Sequence, residues 1–117
     1  MILTITSQQG ENGVVILEMA GRITMGSASQ QIEWNVAELL KENRKKVIFD
    51  LTQVSFVDSS GIGILMMCNG RIKEAGGTLR IAGAQGFVEQ ALAVSGANRI
   101  IPLCATVVDA ATGFAGD

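Results

Sequence analysis

The stretch from Val47 to Gly77 constrains the fold more than any other part of the chain. It begins with VIFDL, a compact run of branched and aromatic residues of the kind that forms a buried central strand. Thr52 to Val57 reads as a short connection leading to Asp58-Ser59-Ser60-Gly61. A long apolar segment then runs to Ala75 and stops at Gly76-Gly77, and its length makes it a helix and not a strand. A buried strand followed, after a short connection, by a long helix belongs in a sheet whose strands are joined by crossovers.

The flanking segments follow the same logic. Ile2 to Thr6 alternates apolar and polar residues, and Val14 to Met19 is β-prone, with the polar loop Gln9 to Gly13 between them. The pair reads as a hairpin, after which Gly21 breaks the pattern. Ser27 stands three residues before Gln30, a capping-box spacing, and Ile32, Val36, Leu39 and Leu40 fall at helical intervals. A helix is therefore expected from Ala28 to about Glu42, with the charged run Lys41 to Lys46 as its solvated end and turn. Thr78 to Ala82 reads as a strand, Phe87 to Val94 as a short helix, Arg99 to Leu103 as a strand and Thr106 to Phe114 as a last helix. Strands alternating with helices predict an α/β fold with a mainly parallel or mixed sheet.

At 117 residues the chain fits one domain, taken as 1–117, and has enough length to bury an ordinary core without staples. Its two cysteines, Cys68 and Cys104, lack metal-ligand spacing and read as small core hydrophobes of a reducing compartment. There is no histidine, so Ser-His-Asp and Cys-His pairs, a histidine base and imidazole metal sites are all excluded. A net charge of −2 argues against direct nucleic-acid binding. The longest apolar candidate, Gly61 to Cys68, is too short to span a membrane, and MILTITSQQGENG lacks the basic flank of a signal peptide. A cytoplasmic protein without membrane insertion is expected.

One constellation stands out. Asp58-Ser59-Ser60-Gly61 sits between the expected buried strand and the expected helix, where sites in α/β sheets are most often built. Three readings are open there. Asp58 or Ser59 caps the helix while Gly61 relieves crowding; the helix N-terminus binds a phosphate; or a serine is itself phosphorylated. The second is weak, because no Gly-Lys-Ser/Thr follows and Gly61-Ile62-Gly63 lacks the rest of a dinucleotide fingerprint. On the following helix Ile64, Leu65, Cys68 and Ile72 gather on one side, with Arg71, Lys73 and Glu74 across the other. Ile62, Met66 and Met67, with Gly63, are then expected as an open apolar strip beside the serines, a surface of the kind partners use.

The stretch VIFDLTQVSFVDSSGIGILMMCNGRIKEAGGTLRIAG, followed by GFVEQALAVSGANRIIPL, resembles the STAS domains of bacterial anti-anti-sigma factors, also called anti-sigma factor antagonists. The similarity covers nearly the whole chain; Asp50, the VDSSGIG segment at Val57 to Gly63 and Gly76-Gly77 are its most specific parts. It implies a STAS-like single domain with a four- to five-stranded mixed sheet, about four helices mainly on one face, no catalytic activity and no cofactor. It further implies that the unphosphorylated form binds an anti-sigma factor that is also a serine kinase, freeing a sigma factor for transcription. By position Ser59 is the phosphoacceptor, flanked by Asp58, Ser60 and Gly61, and a serine phosphatase reverses the modification. In such antagonists the loop after the second strand commonly carries acidic residues where this chain has Arg22-Ile23-Thr24. Arg22 and Thr24 thus point to a different partner or to a partner of altered charge. The alternative is a STAS scaffold subunit of a lipid-transport or stress-signalling complex that needs no phosphorylation. A small enzyme or nucleotide-binding domain at the same helix end is disfavoured by the missing histidine and phosphate-cradling lysine.

Overall fold

The strand that begins at VIFDL carries alternate side chains into two different apolar clusters, as the period of two requires. Val47, Phe49 and Leu51 join the larger cluster, and Ile48 between them joins the smaller one. The computed structural model describes residues 2–114. Its strands are β1 (Thr4–Gln9), β2 (Val14–Ile23), β3 (Lys46–Val57), β4 (Thr78–Ala82) and β5 (Leu103–Cys104), and its helices are α1 (Ser27–Lys41), α2 (Ser59–Glu74), α3 (Gly86–Val94) and α4 (Val107–Thr112). They form a five-stranded mixed sheet in the order β1-β2-β3-β4-β5. Only β1 and β2 run antiparallel; the other neighbours are parallel, joined by helical crossovers.

Helices α1, α2 and α3 bury Ile32, Val36, Leu65, Cys68, Ile72, Val88 and Leu92 in the larger cluster. On the opposite face α4 brings Ala110, followed by Phe114, against Val14, Ile48 and Ala82. Three helices on one face and one short helix on the other agree with the expected STAS-like arrangement.

Several expected boundaries move, each for a local reason. Thr52 to Val57 is not a connection: β3 continues to Val57, because β2 also continues and pairs with it as far as Ile23↔Val57. The polar look of this half comes from exposed Thr52, Gln53 and Ser55, while Val54 and Val57 face the core. Gly21 does not end β2 but lies in it beside a register shift, with φ +118, where a Cβ would press on the Ile2 carbonyl. The hairpin shifts, so that β1 starts at Thr4 and its turn includes a short 3-10 segment, Glu11–Gly13. The Ser27/Gln30 capping box does not form. Gly26 takes the cap position at φ 98, Ser27 is the first helical residue, and the Ser29 hydroxyl instead donates to the Thr24 carbonyl at 2.9 Å. The strand expected at Arg99 to Leu103 shrinks to Leu103–Cys104, because Ala97–Arg99 forms a 3-10 turn. Cys68 is fully buried, whereas Cys104 is only half-buried.

Candidate functional site

Of the three readings open at Asp58-Ser59-Ser60-Gly61, helix capping is taken by the aspartate. Asp58 holds extended backbone angles at the N-cap of α2, and its Oδ1 accepts the Gly61 N–H at 2.7 Å. Its own N–H donates to the Ile23 carbonyl at 3.2 Å, and its carbonyl accepts the Ile62 N–H at 2.9 Å. The residue is thus tied to the end of β2, to β3 and to α2 at once. Ser59 and Ser60, the first two helical residues, are exposed and not needed as caps.

Gly61 is required by close approach. An added Cβ would sit within contact distance of the Ile23 carbonyl, 2.8 Å from Val57 Cγ2 and 2.9 Å from Ile23 Cγ2. The first turn of α2 therefore rests directly on the end of β2. Gly63, two residues on, has nothing within 4 Å of such a Cβ and is exposed. Burial of Cys68 further along α2 pushes its thiol from 9.0 up to about 12, so it is a packing group and not a nucleophile.

Beside Ser59 lies an open groove of about 510 Å³ between the start of α2 and α3. Phe56, Ser59, Ile62, Phe87, Ala91 and Val94 are among its lining residues. The rings of Phe56 and Phe87 stack in parallel, with centroids 5.3 Å apart. On β2, paired opposite Phe56, Arg22 lays its guanidinium 4.2 Å from the centre of the Phe56 ring. A cation–π contact of this kind is worth ~0.5–1 kcal/mol at an exposed site and fixes a side chain that would otherwise wander.

The structure therefore brings Asp58, Ser59 and Ile62 to one groove; Arg22 does not line it but stacks on Phe56, which does. Thr24, Gly63, Met66 and Met67 do not line it. Ile62 and Met66 are half-buried and lean on the core, while Met67 is 37% exposed, so the expected strip is open only in part. Phe56, Phe87 and Val94 were not anticipated. Phe87, Ala91 and Val94 do share one helical face by spacing, which was a legible signal; that this face meets Ser59 depends on α3 packing beside β3.

An exposed hydroxyl at a helix N-terminus tolerates an added phosphate, since the first N–H groups and the dipole favour an anion there. The chain has no histidine, and among the described residues no group of three or more acids and cysteines is placed to hold a metal ion. Among the described residues no helix is long and apolar enough to cross a membrane.

Comparison with known proteins places the fold and the family. The anti-sigma F factor antagonist of Paenibacillus polymyxa is 25% identical over 101 residues, covering 86% of each chain. The crystal structure of an anti-sigma factor antagonist from Mycobacterium paratuberculosis superposes with a TM-score of 0.84 at 21% identity, covering 96% of this chain and 93% of that one. The Bacillus cell fate determinant SpoIIAA in its phosphorylated form gives a TM-score of 0.73 at 17% identity, over 94% and 98% of the two chains. Its unphosphorylated form gives 0.74 at 16%, over 97% and 100%. The sequence pattern of the STAS domain itself matches residues 6–110, nearly the full length, and the chain belongs to the STAS domain family.

Proposed function

We propose that the protein is an anti-sigma factor antagonist switched by phosphorylation. Unmodified, it binds an anti-sigma factor that is also a serine kinase and so releases a sigma factor for transcription. Phosphorylation of Ser59 ends the binding, and a serine phosphatase restores it. The observation that carries this reading is the division of labour at the start of α2: Asp58 caps the helix, and the neighbouring Ser59 hydroxyl is left exposed on the wall of an apolar groove.

The kinase supplies ATP and the base. The Ser59 Oγ attacks the γ-phosphorus, its proton passes to the kinase's base, and ADP leaves. The product carries close to two negative charges beside the Asp58 carboxylate. Within the domain that charge sits at the favourable end of α2, so the fold is expected to persist. Across an interface the same dianion must be desolvated against apolar side chains, which opposes binding.

Incubation with ATP and the kinase-type anti-sigma factors of the same genome, followed by mass-spectrometric mapping, tests the proposal. Phosphate on Ser59 and loss of the complex are expected. Phosphate confined to Ser60 would move the acceptor, and a stable complex without modification would favour a scaffold role.

A further inference from the structure

The two edges of the sheet are guarded differently. At one edge β5 is only two residues long, Leu103–Cys104, and follows Pro102, which has no N–H to extend a ladder. At the other edge β1 runs for six residues, TITSQQ, with no charge, no proline and an unbroken register against β2 from Thr4↔Ala20 to Gln9↔Val15. Which of its backbone groups are free follows from the turn. The Gly10 N–H donates to the Val14 carbonyl at 2.8 Å, and these two residues continue the same register. In an antiparallel ladder, residues that exchange hydrogen bonds with the neighbour alternate with residues that do not. Thr4, Thr6 and Gln8 therefore bond to β2, while the N–H and C=O groups of Ile5, Ser7 and Gln9 point away from it. Among the described residues nothing hydrogen-bonds to them. A regular, uncharged edge of this kind is a template for another strand.

We propose that β1 pairs antiparallel with β1 of a second copy of this chain, across a two-fold axis at Ser7, so that two sheets join into one. A two-fold perpendicular to the sheet keeps each residue on its own face, so even-numbered residues oppose even-numbered ones and odd oppose odd. With Ser7 opposite its own copy, Ile5 falls opposite the partner's Gln9, and every outward N–H and C=O of Ile5, Ser7 and Gln9 finds a mate. On one face Thr6 falls opposite the partner's Gln8. Gln8 donates through Nε2 to Glu18 at 2.8 Å, which leaves its Oε1 to accept the Thr6 hydroxyl of the other copy. On the other face the half-buried Ile5, which leans on the core, is covered by the stem of Gln9. The occupant is a copy and not a foreign strand because the edge complements itself: β1 holds no charge that a partner must pair, and none is repelled across the axis. Ser59 follows β3, which β2 separates from this edge, so the pairing holds whether or not Ser59 is the switch.

Sedimentation over a range of concentrations, with amide hydrogen exchange by NMR, tests the pairing in wild type, Ser7→Pro, Ser7→Lys and Trp34→Ala. Ser7→Pro deletes an N–H that β2 does not use and, by symmetry, removes both bonds at the axis; it is expected to weaken association by about tenfold or more. Ser7→Lys sets two ammonium groups face to face and is expected to weaken it by about fivefold. Trp34, 64% exposed on α1, is the rival apolar surface, and Trp34→Ala should leave the dimer unchanged. In wild type the Ile5, Ser7 and Gln9 amides should gain protection as concentration rises. Ser7→Cys in a Cys104→Ala background should oxidise to a covalent dimer. If circular dichroism shows β1 disturbed by proline, Ser7→Lys decides, since Ser7 is exposed and a longer side chain there meets no core. A wild-type chain that stays monomeric up to about 1 mM overturns the proposal. So does a dimer that the Ser7 variants leave intact, or one that Trp34→Ala abolishes.

Discussion

Glycines 61 and 63 provide a matched pair for testing how α2 is seated. In Gly61→Ala the new methyl meets the backbone carbonyl of Ile23 and the methyl groups of Val57 and Ile23, and a carbonyl cannot rotate away as a side-chain end can. Relief would require lifting the first turn of α2, which stretches the Asp58 N–H bond to Ile23. Overpacking of this kind costs ~1–3 kcal/mol. Part of that is offset by the better helix propensity of alanine, worth at most ~1 kcal/mol. With a backbone carbonyl and two methyl carbons all closer than 3.0 Å the cost belongs at the upper end of that range, ~3 kcal/mol, and the net expectation is a loss of about 2 kcal/mol. Gly63→Ala meets nothing within 4 Å and should show the propensity gain alone, about 1 kcal/mol. For 117 residues the unfolding entropy is ~0.25 kcal/mol/K, so Gly61→Ala should lower Tm by roughly 8 °C and Gly63→Ala raise it by roughly 4 °C. Thermal unfolding followed by circular dichroism reads both. A Gly61→Ala variant as stable as wild type, or a Gly63→Ala variant less stable, would refute the seating of α2 on the end of β2.

Three further outcomes follow from the same geometry. Asp58→Ala removes the 2.7 Å cap to Gly61 and should cost about 1 kcal/mol, while Asp58→Asn should keep most of it; equal urea midpoints for all three proteins would contradict the capping role. Ser59→Asp should weaken kinase binding while leaving the circular dichroism spectrum and Tm nearly unchanged, since the substitution lies on an exposed first-turn position; a grossly unfolded variant would contradict a surface switch. Burial holds the Cys68 proton up to about 12, whereas the unfolded chain loses it near 9.0. The native state therefore binds more protons in that window, and stability should fall as pH rises above 9, by up to ~1.4 kcal/mol per unit. Cys68→Ala should flatten that slope in urea titrations at successive pH values, and an unchanged slope would place the cause elsewhere.

How much of this was legible follows from the physics of each element. VIFDL and α2 were visible because a short branched run and a long apolar run carry opposite length signals. The upper half of β3 was not, because its burial rests on Val54 and Val57 among exposed polar residues and its pairing on a distant strand. The start of α1 was misplaced because Gly26 closes it through backbone angles alone, leaving Ser27 as a false cap signal. Asp58, Ser59 and Gly61 could be singled out from their place between strand and helix. The sequence left open which of Asp58 and Ser59 caps, and that was decided by the hydrogen bond to Gly61. The groove was hidden because Phe56 and Phe87 meet only when α3 lies along β3, where Gln85 Nε2 also donates to the Thr52 carbonyl at 3.2 Å. Arg22 was noticed as a departure in charge, yet its stacking on Phe56 needed the register of β2 against β3.

The most direct test of the central claim compares kinase binding to the unmodified protein and to protein carrying phosphoserine at position 59, alongside amide NMR spectra of both. The account predicts binding weakened by at least about a hundredfold, equivalent to roughly 3 kcal/mol, with spectral changes confined to the start of α2, the end of β3 and the facing side of α3. Equal affinity of the two forms, or shifts spread through the core of the sheet, would contradict it.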